Sequence, residues 1–424
     1  MNAMFAPKPI AQPVHRTPIT THKPVLKILG LGGGGSNAIN RLVELGLQDV
    51  EFIAANTDQQ ALRQSLAPVK IQLGPRVTRG LGAGGDPKIG EAAAEESHRE
   101  LAAALSGADM VFLTAGMGGG TGTGSIPVAA RVARELGAVT VAVVTTPFSF
   151  EMGKRQRNAR EGLAQLQPHT DTLITVPNDR LLKIAPQNLT LDLAFQLADD
   201  VLRQGIQGVA ELITQPGLIN VDFAHIRQVM KMGGGALMSI GIGEGEHKAL
   251  KAVEQALHHP LLDSISIDNA TGIIANFTGG DSLSFVEVME ALNHLQLKTG
   301  NQAEIIPGVI NDPRMEDRAQ AILVITGLGA TAIEAALPGA KPAAAQKPQS
   351  QPAQTPDRRE SAREAAPVER APLPSTRPLT MTMPFQTSQN SPRQEQELDS
   401  FDAMEVSAAP IDYDLPAFMR RRSR

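Results

Sequence analysis

The sequence predicts an α/β fold with a parallel-sheet, Rossmann-like domain, a long central helix and a smaller α+β C-terminal domain, followed by a disordered linker and a tail peptide. Apolar β-rich runs alternate with helical runs from residue 24 to residue 330, which is typical of a parallel sheet covered on both faces. All 39 glycines lie between Gly30 and Gly339, and 11 of the 30 prolines lie between Pro338 and Ser400. The expected segments are an arm at 1–23, domains at 24–190, 191–215 and 216–330, a linker at 338–408 and a terminal peptide at 409–424.

The elements of the first domain follow from buried apolar runs and the helical runs between them. The expected strands are Val25–Leu29, Phe52–Ala55, Met110–Thr114, Val139–Thr145 and Leu173–Val176. The expected helices are Asn37–Leu47, Ala92–Leu105 and Pro127–Leu136. Pro127 is placed in the first turn of its helix, where its missing N–H costs nothing.

The second half begins with one long helix, Leu191–Ile213, which runs to Pro216. Shorter apolar runs after it predict a smaller α+β domain. Its expected elements are Ala236–Ile242, His247–His258, Gly272–Phe277, Phe285–Leu295, Ala303–Ile310 and Ala321–Ile325.

Composition narrows the possible functions. The 424 residues include no cysteine, which removes disulfide scaffolds, cysteine-ligated zinc, iron–sulfur clusters and thiol catalysis, and which fits a cytoplasmic location. A net charge of -5 and an aromatic content of 3% argue against a nucleic-acid-binding protein, which usually has a basic surface or aromatic residues that stack on bases. No apolar run approaches the roughly 20 residues of a membrane span, so no transmembrane segment is expected.

Three glycine-rich loops are expected after strands of one sheet, so they should converge at its C-terminal edge. They run from Gly30 to Asn40, from Gly80 to Gly90 and from Gly116 to Ser125. Glycine lets backbone amides approach phosphate oxygens, and the N-terminus of the following helix adds a favourable dipole. The structural alternative is a set of tight turns with close strand–helix packing.

The first loop alone allows a second interpretation. Gly30, Gly32 and Gly35 satisfy G-x-G-x-x-G, with Asp58 as the acidic candidate, as in dinucleotide oxidoreductases. The second loop and the lack of an evident hydride-transfer pair count against that class. A Walker A motif is absent, so the cradle has no phosphate-binding lysine of that kind.

Several motifs occur together in one order along the chain. They are GGGGSNA, NTD, LGAGGDPKIG, GGGTGTG (Gly118–Gly124), TTPFSFE, PND, GLINVDFA and the tail motif DLPAFMRRR. With these motifs the chain resembles the tubulin/FtsZ family, and in particular its bacterial cell-division branch. The resemblance covers about residues 24–330 and the tail, and it implies a GTPase that assembles into filaments.

The resemblance implies a nucleotide site for GTP or GDP, with Mg²⁺ expected on the phosphates and no protein metal site. Its implied residues are Gly33, Gly34, Gly35, Ser36, Asn37, Ala83, Gly84, Gly120, Thr121, Gly122, Glu151, Arg155, Phe195 and Asp199. Glu151 would contact the ribose and Arg155 would lie near the nucleotide, although an i,i+4 surface pair is the alternative. Phe195 would stack on the base, and Asp199 would accept both N–H groups of guanine. Read alone, Phe195 is more typical of a core residue and Asp199 of a solvated charge.

The resemblance also implies catalysis across subunits. The loop after the central helix, residues 216–226, would cover the GTP of a neighbouring copy stacked head-to-tail, with Asn220 and Asp222 positioning the attacking water. His225 stands where a second acid is usual, so one hypothesis is slow hydrolysis by a GTP-binding scaffold paralogue. The alternative is that Asp222 suffices and His225 acts as a base near pH 7.

Residues 411–424 pair apolar side chains with a basic run and resemble the peptide that docks onto membrane-tethering division proteins. A charged, solvated terminus is the alternative. The resemblance therefore implies a cytoplasmic protein at the midcell division ring, on the inner face of the membrane. A plasmid-segregation tubulin is a near relative that fits this tail less well.

Overall fold

The computed structural model describes residues 23–185, 189–215, 217–219, 221–232, 235–262, 266–268 and 270–328. The expected linker, the terminal peptide and residues 1–22 of the expected arm lie outside these described residues.

One mixed sheet organises the described part of the chain. Its ten strands are β1 Leu26–Leu31, β2 Val50–Asn56, β3 Val69–Gln72, β4 Met110–Gly116, β5 Val139–Thr146, β6 Thr172–Pro177, β7 Gly235–Glu244, β8 Gly272–Gly279, β9 Glu304–Asn311 and β10 Arg318–Thr326. They lie in the order β3-β2-β1-β4-β5-β6-β7-β10-β8-β9. Neighbours from β3 to β7 are parallel, as are β8 and β9, whereas β10 is antiparallel to both β7 and β8. The predicted parallel sheet with a smaller C-terminal part is confirmed.

Helices flank this sheet. They are α1 Gly32–Glu44, α2 Gln59–Gln64, α3 Pro87–Glu96, α4 His98–Leu105, α5 Thr121–Glu135, α6 Met152–Leu166, α7 Asn178–Leu181, α8 Leu191–Thr214, α9 Phe223–Lys231, α10 Lys248–Leu257 and α11 Phe285–Lys298. Successive residues of β1 enter different cores, because Ile28 packs with residues of α1 and α8 while Leu29 packs with residues of α3 to α6. A third cluster joins α10 and α11 to the C-terminal strands. Burial on both faces explains the continuous apolar runs of the parallel strands.

The long central helix is confirmed as α8, which has 24 residues. Thr190 caps its start by accepting a hydrogen bond from the Leu193 amide at 3.4 Å. Gly208 lies where a Cβ would come within 2.9 Å of Ile322 Cδ1, so the helix packs closely on β10. At 1.5 Å per residue α8 spans about 36 Å, and its two ends are therefore far apart.

Two helix predictions need correction. α5 begins at Thr121, so Pro127 lies inside the helix and not in its first turn. The glycines before it adopt helical backbone because they pack against neighbouring chain: a Cβ on Gly124 would lie 1.9 Å from the Pro87 carbonyl oxygen. The expected helix Ala92–Leu105 is interrupted at Ser97, whose hydroxyl accepts from the Gly74 amide at 3.0 Å.

Candidate functional site

The glycine-rich loops meet at the edge where the parallel strands end. A Cβ on Gly32 would lie 2.8 Å from the Gly122 nitrogen, so the first and second loops are in contact. A Cβ on Gly120 would lie 2.8 Å from the Asp86 nitrogen, so the second and third loops are also in contact. The predicted convergence of the three loops is confirmed.

Two helices begin side by side at this edge without a side-chain cap. The N-cap residues Leu31 of α1 and Gly120 of α5 make no side-chain capping bond, and neither first turn contains an acidic residue. By contrast, Asp58 and Asp86 cap α2 and α3. Helix N-termini carry amides without intrahelical partners and a partial positive charge. Two of them together form a site suited to an anion such as a polyphosphate.

Distances divide the glycines of these loops into two groups. Gly35, Gly120 and Gly122 are packed: a Cβ on Gly35 would lie 2.4 Å from the Thr114 carbonyl oxygen, and one on Gly122 would lie 3.1 Å from the Gly116 oxygen. Gly33 and Gly119 have nothing within 4 Å of the position that a Cβ would take. Close packing therefore explains the glycines of the first group without a ligand, in agreement with the alternative that these loops are tight turns packed between strands and helices. The second group borders open space.

Of the remaining loop residues, Gly84 borders open space and the others are packed or buried. A Cβ on Gly34 would lie 3.1 Å from the Gly116 nitrogen, and Gly84 has a positive φ of 58° with nothing nearby. Ala83 is buried against Gly120. The hydroxyl of Ser36 is buried without a hydrogen-bond partner among the described residues. A buried, unpartnered hydroxyl beside uncapped amides matches the hydrogen-bonding needs of phosphate oxygens.

A packed and an open glycine of the second loop, Gly124 and Gly119, give different predictions for stability. Gly124→Ala should lower the free energy of unfolding by about 1–3 kcal/mol, because its Cβ would meet the Pro87 backbone. Gly119→Ala should change it by less than about 0.5 kcal/mol, because its Cβ enters open space. Urea unfolding of the nucleotide-free proteins, followed by far-UV circular dichroism, measures both. Equal losses in the two variants would contradict this division.

Hydrogen bonds tie the loops together. The hydroxyls of Thr121 and Thr57 lie 2.6 Å apart, so Thr121 already has a partner on the neighbouring loop. Asn158 of α6 donates to the carbonyl oxygens of Gly118 at 3.2 Å and Gly85 at 3.3 Å, which joins the second loop to the third. Sequence reasoning missed Asn158, because α6 itself was not predicted. An asparagine at a buried position of that helix is the signal that could have identified it.

Glu151 and Arg155 lie beside the second loop and contact each other. Arg155 Nη1 lies 2.7 Å from Glu151 Oε2, and Glu151 Oε1 accepts from the Phe148 amide at 2.8 Å. The Glu151 side chain is 6% exposed and that of Arg155 is 51% exposed. The i,i+4 pair is thus the geometry observed, and a ribose or phosphate contact by either residue stays a prediction.

Aromatic rings mark the start of the central helix. Phe195 is 36% exposed and meets Phe148 edge-on, with ring centroids 5.5 Å apart. Phe148 is buried and stacks on Phe150 at 5.1 Å. The ring of Phe195 is therefore packed against Phe148 and stays partly exposed, and stacking of a base on it stays a prediction.

Asp199 lies one turn further along α8 and faces α1. Asn37 donates a side-chain hydrogen bond to its carboxylate, and Arg41 Nη2 lies 3.8 Å from Asp199 Oδ2. Burial raises the pKa of Asp199 to about 6, against the opposing effect of these two groups. The neighbouring Asp200 accepts from Arg203 and Gln204, each at 2.7 Å, so its carboxylate is engaged elsewhere.

The loop after the central helix lies beyond the opposite end of α8. The Leu218 amide donates to the Val309 carbonyl at 2.8 Å, which attaches the loop to β9. Asp222 is exposed and caps α9 by accepting from the Ala224 amide at 3.0 Å, and His225 is exposed in the first turn of that helix. Asn220 lies outside the described residues. A single chain therefore does not bring Asp222 and His225 to the glycine loops.

The described ranges show neither a cluster of metal ligands nor a membrane-spanning helix. Those residues contain no group of three or more His, Asp or Glu side chains that could hold a metal ion. None of the helices described is both long enough and apolar enough to cross a bilayer.

Comparison with known proteins agrees with this architecture. Residues 25–186 match the model of the tubulin/FtsZ family GTPase domain, and residues 234–329 match that of the FtsZ family C-terminal domain. A solved FtsZ dimer from M. jannaschii is 46% identical, with a TM-score of 0.71 over 74% of this chain and 90% of that one. A mutant of the M. jannaschii protein is 47% identical, with a TM-score of 0.70 over 72% of this chain and 91% of that one.

A more distant structure shares the fold alone. CetZ2 from Haloferax volcanii, solved as a GTPγS-bound protofilament, is 19% identical, with a TM-score of 0.61 over 72% of this chain and 93% of that one. The two family models and the close structural relatives show that this chain belongs to the FtsZ family, within the larger tubulin/FtsZ family.

Proposed function

We propose that the chain hydrolyses GTP between subunits of a head-to-tail filament that forms the bacterial division ring. The observation that supports this most directly is that the glycine loops and the exposed Asp222 lie at opposite ends of α8. The uncapped starts of α1 and α5, together with Phe195 and Asp199, lie at one end of α8. The exposed Asp222 lies beyond the other end. Membership of a GTPase family supports the general activity.

Each loop has a distinct part in the proposed site. The amides of Gly33–Asn37 and of Gly120–Gly122 bind the phosphates, and Ala83 and Gly84 lie near the γ-phosphate. Mg²⁺ bound with the phosphates would neutralise part of their charge. Glu151 and Arg155 contribute at the ribose and phosphate side, while Phe195 stacks on the base and Asp199 accepts its N–H groups.

Hydrolysis in this proposal needs positioning and charge more than covalent chemistry. Asn220 and Asp222 of one copy orient a water against the nucleotide of the next. A contact between two different ends of the molecule does not close on itself, so repetition gives a filament. The relative described as a dimer supports self-association. The alternative function, a scaffold that binds GTP and hydrolyses it slowly, is supported by His225 alone.

Domain limits and location are part of the same proposal. Residues 24–190 bind GTP, 191–215 form the central helix and 216–330 carry the catalytic loop. Residues 338–408 act as a linker, and 409–424 bind membrane-tethering division proteins, which holds the cytoplasmic filament at midcell. The supporting features of the tail are its apolar side chains and its four arginines among residues 420–424.

Phosphate release measured against protein concentration tests the shared site. We expect almost no GTP turnover below a threshold concentration and a steep rise above it, because each site needs a second copy. Light scattering on the same samples should rise at the same concentration. Turnover that is proportional to concentration from the lowest value would contradict a site shared by two subunits.

A further inference from the structure

The carboxylate of Asp199 sits in a protein environment that opposes its charge. Its side chain is only 14% exposed, and burial raises the pKa to about 6. Among the described residues, the charged groups that act on it are Arg41 of α1 and Asp200 of its own helix. Asp200 is itself paired with Arg203, so Arg41 is the cation that faces Asp199.

Arg41 is placed to act through its charge and not as a hydrogen-bond donor. Its Nη2 lies 3.8 Å from Asp199 Oδ2, beyond hydrogen-bond distance, and its side chain is 25% exposed. Asn37 lies one turn earlier on α1, and it donates the hydrogen bond to this carboxylate. Arg41 therefore does not occupy a hydrogen-bonding position of the carboxylate.

We propose that Arg41 is a positioning residue for base recognition, which keeps Asp199 a carboxylate able to accept two N–H groups of guanine. This inference rests on the proposed function of Asp199 as the guanine contact. A protonated Asp199 would present an O–H towards the base, where guanine also presents donors. Base binding should then be intact above about pH 6 and be lost as the pH falls through the pKa of Asp199.

The test is the affinity for GDP from pH 5.5 to pH 8.5, measured by titration calorimetry on the full chain below its assembly concentration. Removing an adjacent arginine raises a carboxyl pKa by about 1–3 units, so Arg41→Ala should move the midpoint of binding upward by about one pH unit or more. Arg41→Lys keeps the charge and should stay near the wild-type midpoint. Arg63→Ala removes an exposed arginine from α2 and should leave the profile unchanged.

Three outcomes separate the possibilities. An unchanged midpoint in Arg41→Ala would overturn the inference. An equal loss of affinity at every pH would also overturn it, because that pattern indicates a purely structural role. Failure of the wild-type protein to bind GDP at any pH would instead overturn the proposed function. Titration of the nucleotide's own phosphates is common to all variants and cancels in the comparison.

Discussion

Asp222→Asn is expected to reduce GTP turnover in assembled protein by about 100-fold or more, because a positioned acid–base group contributes about 10²–10⁴ to a rate. Asparagine is also a good N-cap, so the bond to the Ala224 amide and the stability of α9 should be retained. The substitution therefore removes the charge with little change to the loop. Phosphate release above the threshold concentration measures the effect.

Nucleotide binding by Asp222→Asn is the control. Since Asp222 lies beyond the far end of α8 from the cradle, the affinity of the unassembled chain for GDP should match that of wild type. A loss of affinity together with turnover would show that Asp222 acts on its own chain, and it would contradict catalysis across subunits.

Mixing two defective proteins sharpens this test. An Asp222→Asn chain keeps an intact cradle, and an Asp199→Asn chain keeps an intact catalytic loop. An equal mixture should regain up to about a quarter of wild-type turnover, because a quarter of random head-to-tail contacts join the two intact halves. No gain over the separate proteins would contradict the shared site.

Asp199→Asn is expected to weaken GTP binding by about 100-fold or more and to create affinity for xanthosine triphosphate. A site built for particular hydrogen bonds rejects a mismatched partner by large factors, since buried polar groups are left unpaired. Asparagine offers one acceptor and one donor, which match N–H and C=O on xanthine but not the two donors of guanine. Dissociation constants for the two nucleotides measure the switch.

The adjacent aspartate supplies a matched control. Asp200→Asn changes the same residue type on the same helix, but Asp200 is engaged with Arg203 and Gln204. Its substitution should leave the preference for guanine unchanged. If both variants altered base choice equally, or if Asp199→Asn bound GTP like wild type, Asp199 would not be the base contact.

The sequence predicted the parallel sheet and the central helix well, because their apolar runs and lengths are distinctive. It missed β3, a strand of four residues at the sheet edge in which apolar and polar side chains alternate. It also missed α6, a helix rich in arginine whose apolar stripe is narrow. The start of α5 was wrong because close packing at Gly124 overrides the low helix propensity of glycine.

For the candidate site too, some residues could be predicted from the sequence and others could not. Ordered motifs located the loops, Phe195 and Asp199, because glycine spacing and residue type carry that information. Motifs could not separate Gly120, which packs against Asp86, from Gly119, which borders open space, since both are the same residue in one run. Asn158 and Arg41 were missed because their importance depends on which distant segments fold against them. The role of His225 stays a prediction.

The two halves of the sheet, β3 to β6 and β7 to β9, meet where β6 pairs with β7, and this pairing is short. Among the described residues β6 and β7 share two paired positions, whereas β5 and β6 share six. The backbone ladder between β6 and β7 is therefore short, and the apolar cluster that spans β6, β7 and β10 supplies most of the contact between the two halves. If copies of this chain stack as proposed, a small rotation at this short ladder, repeated in every copy, would add up to a curved polymer.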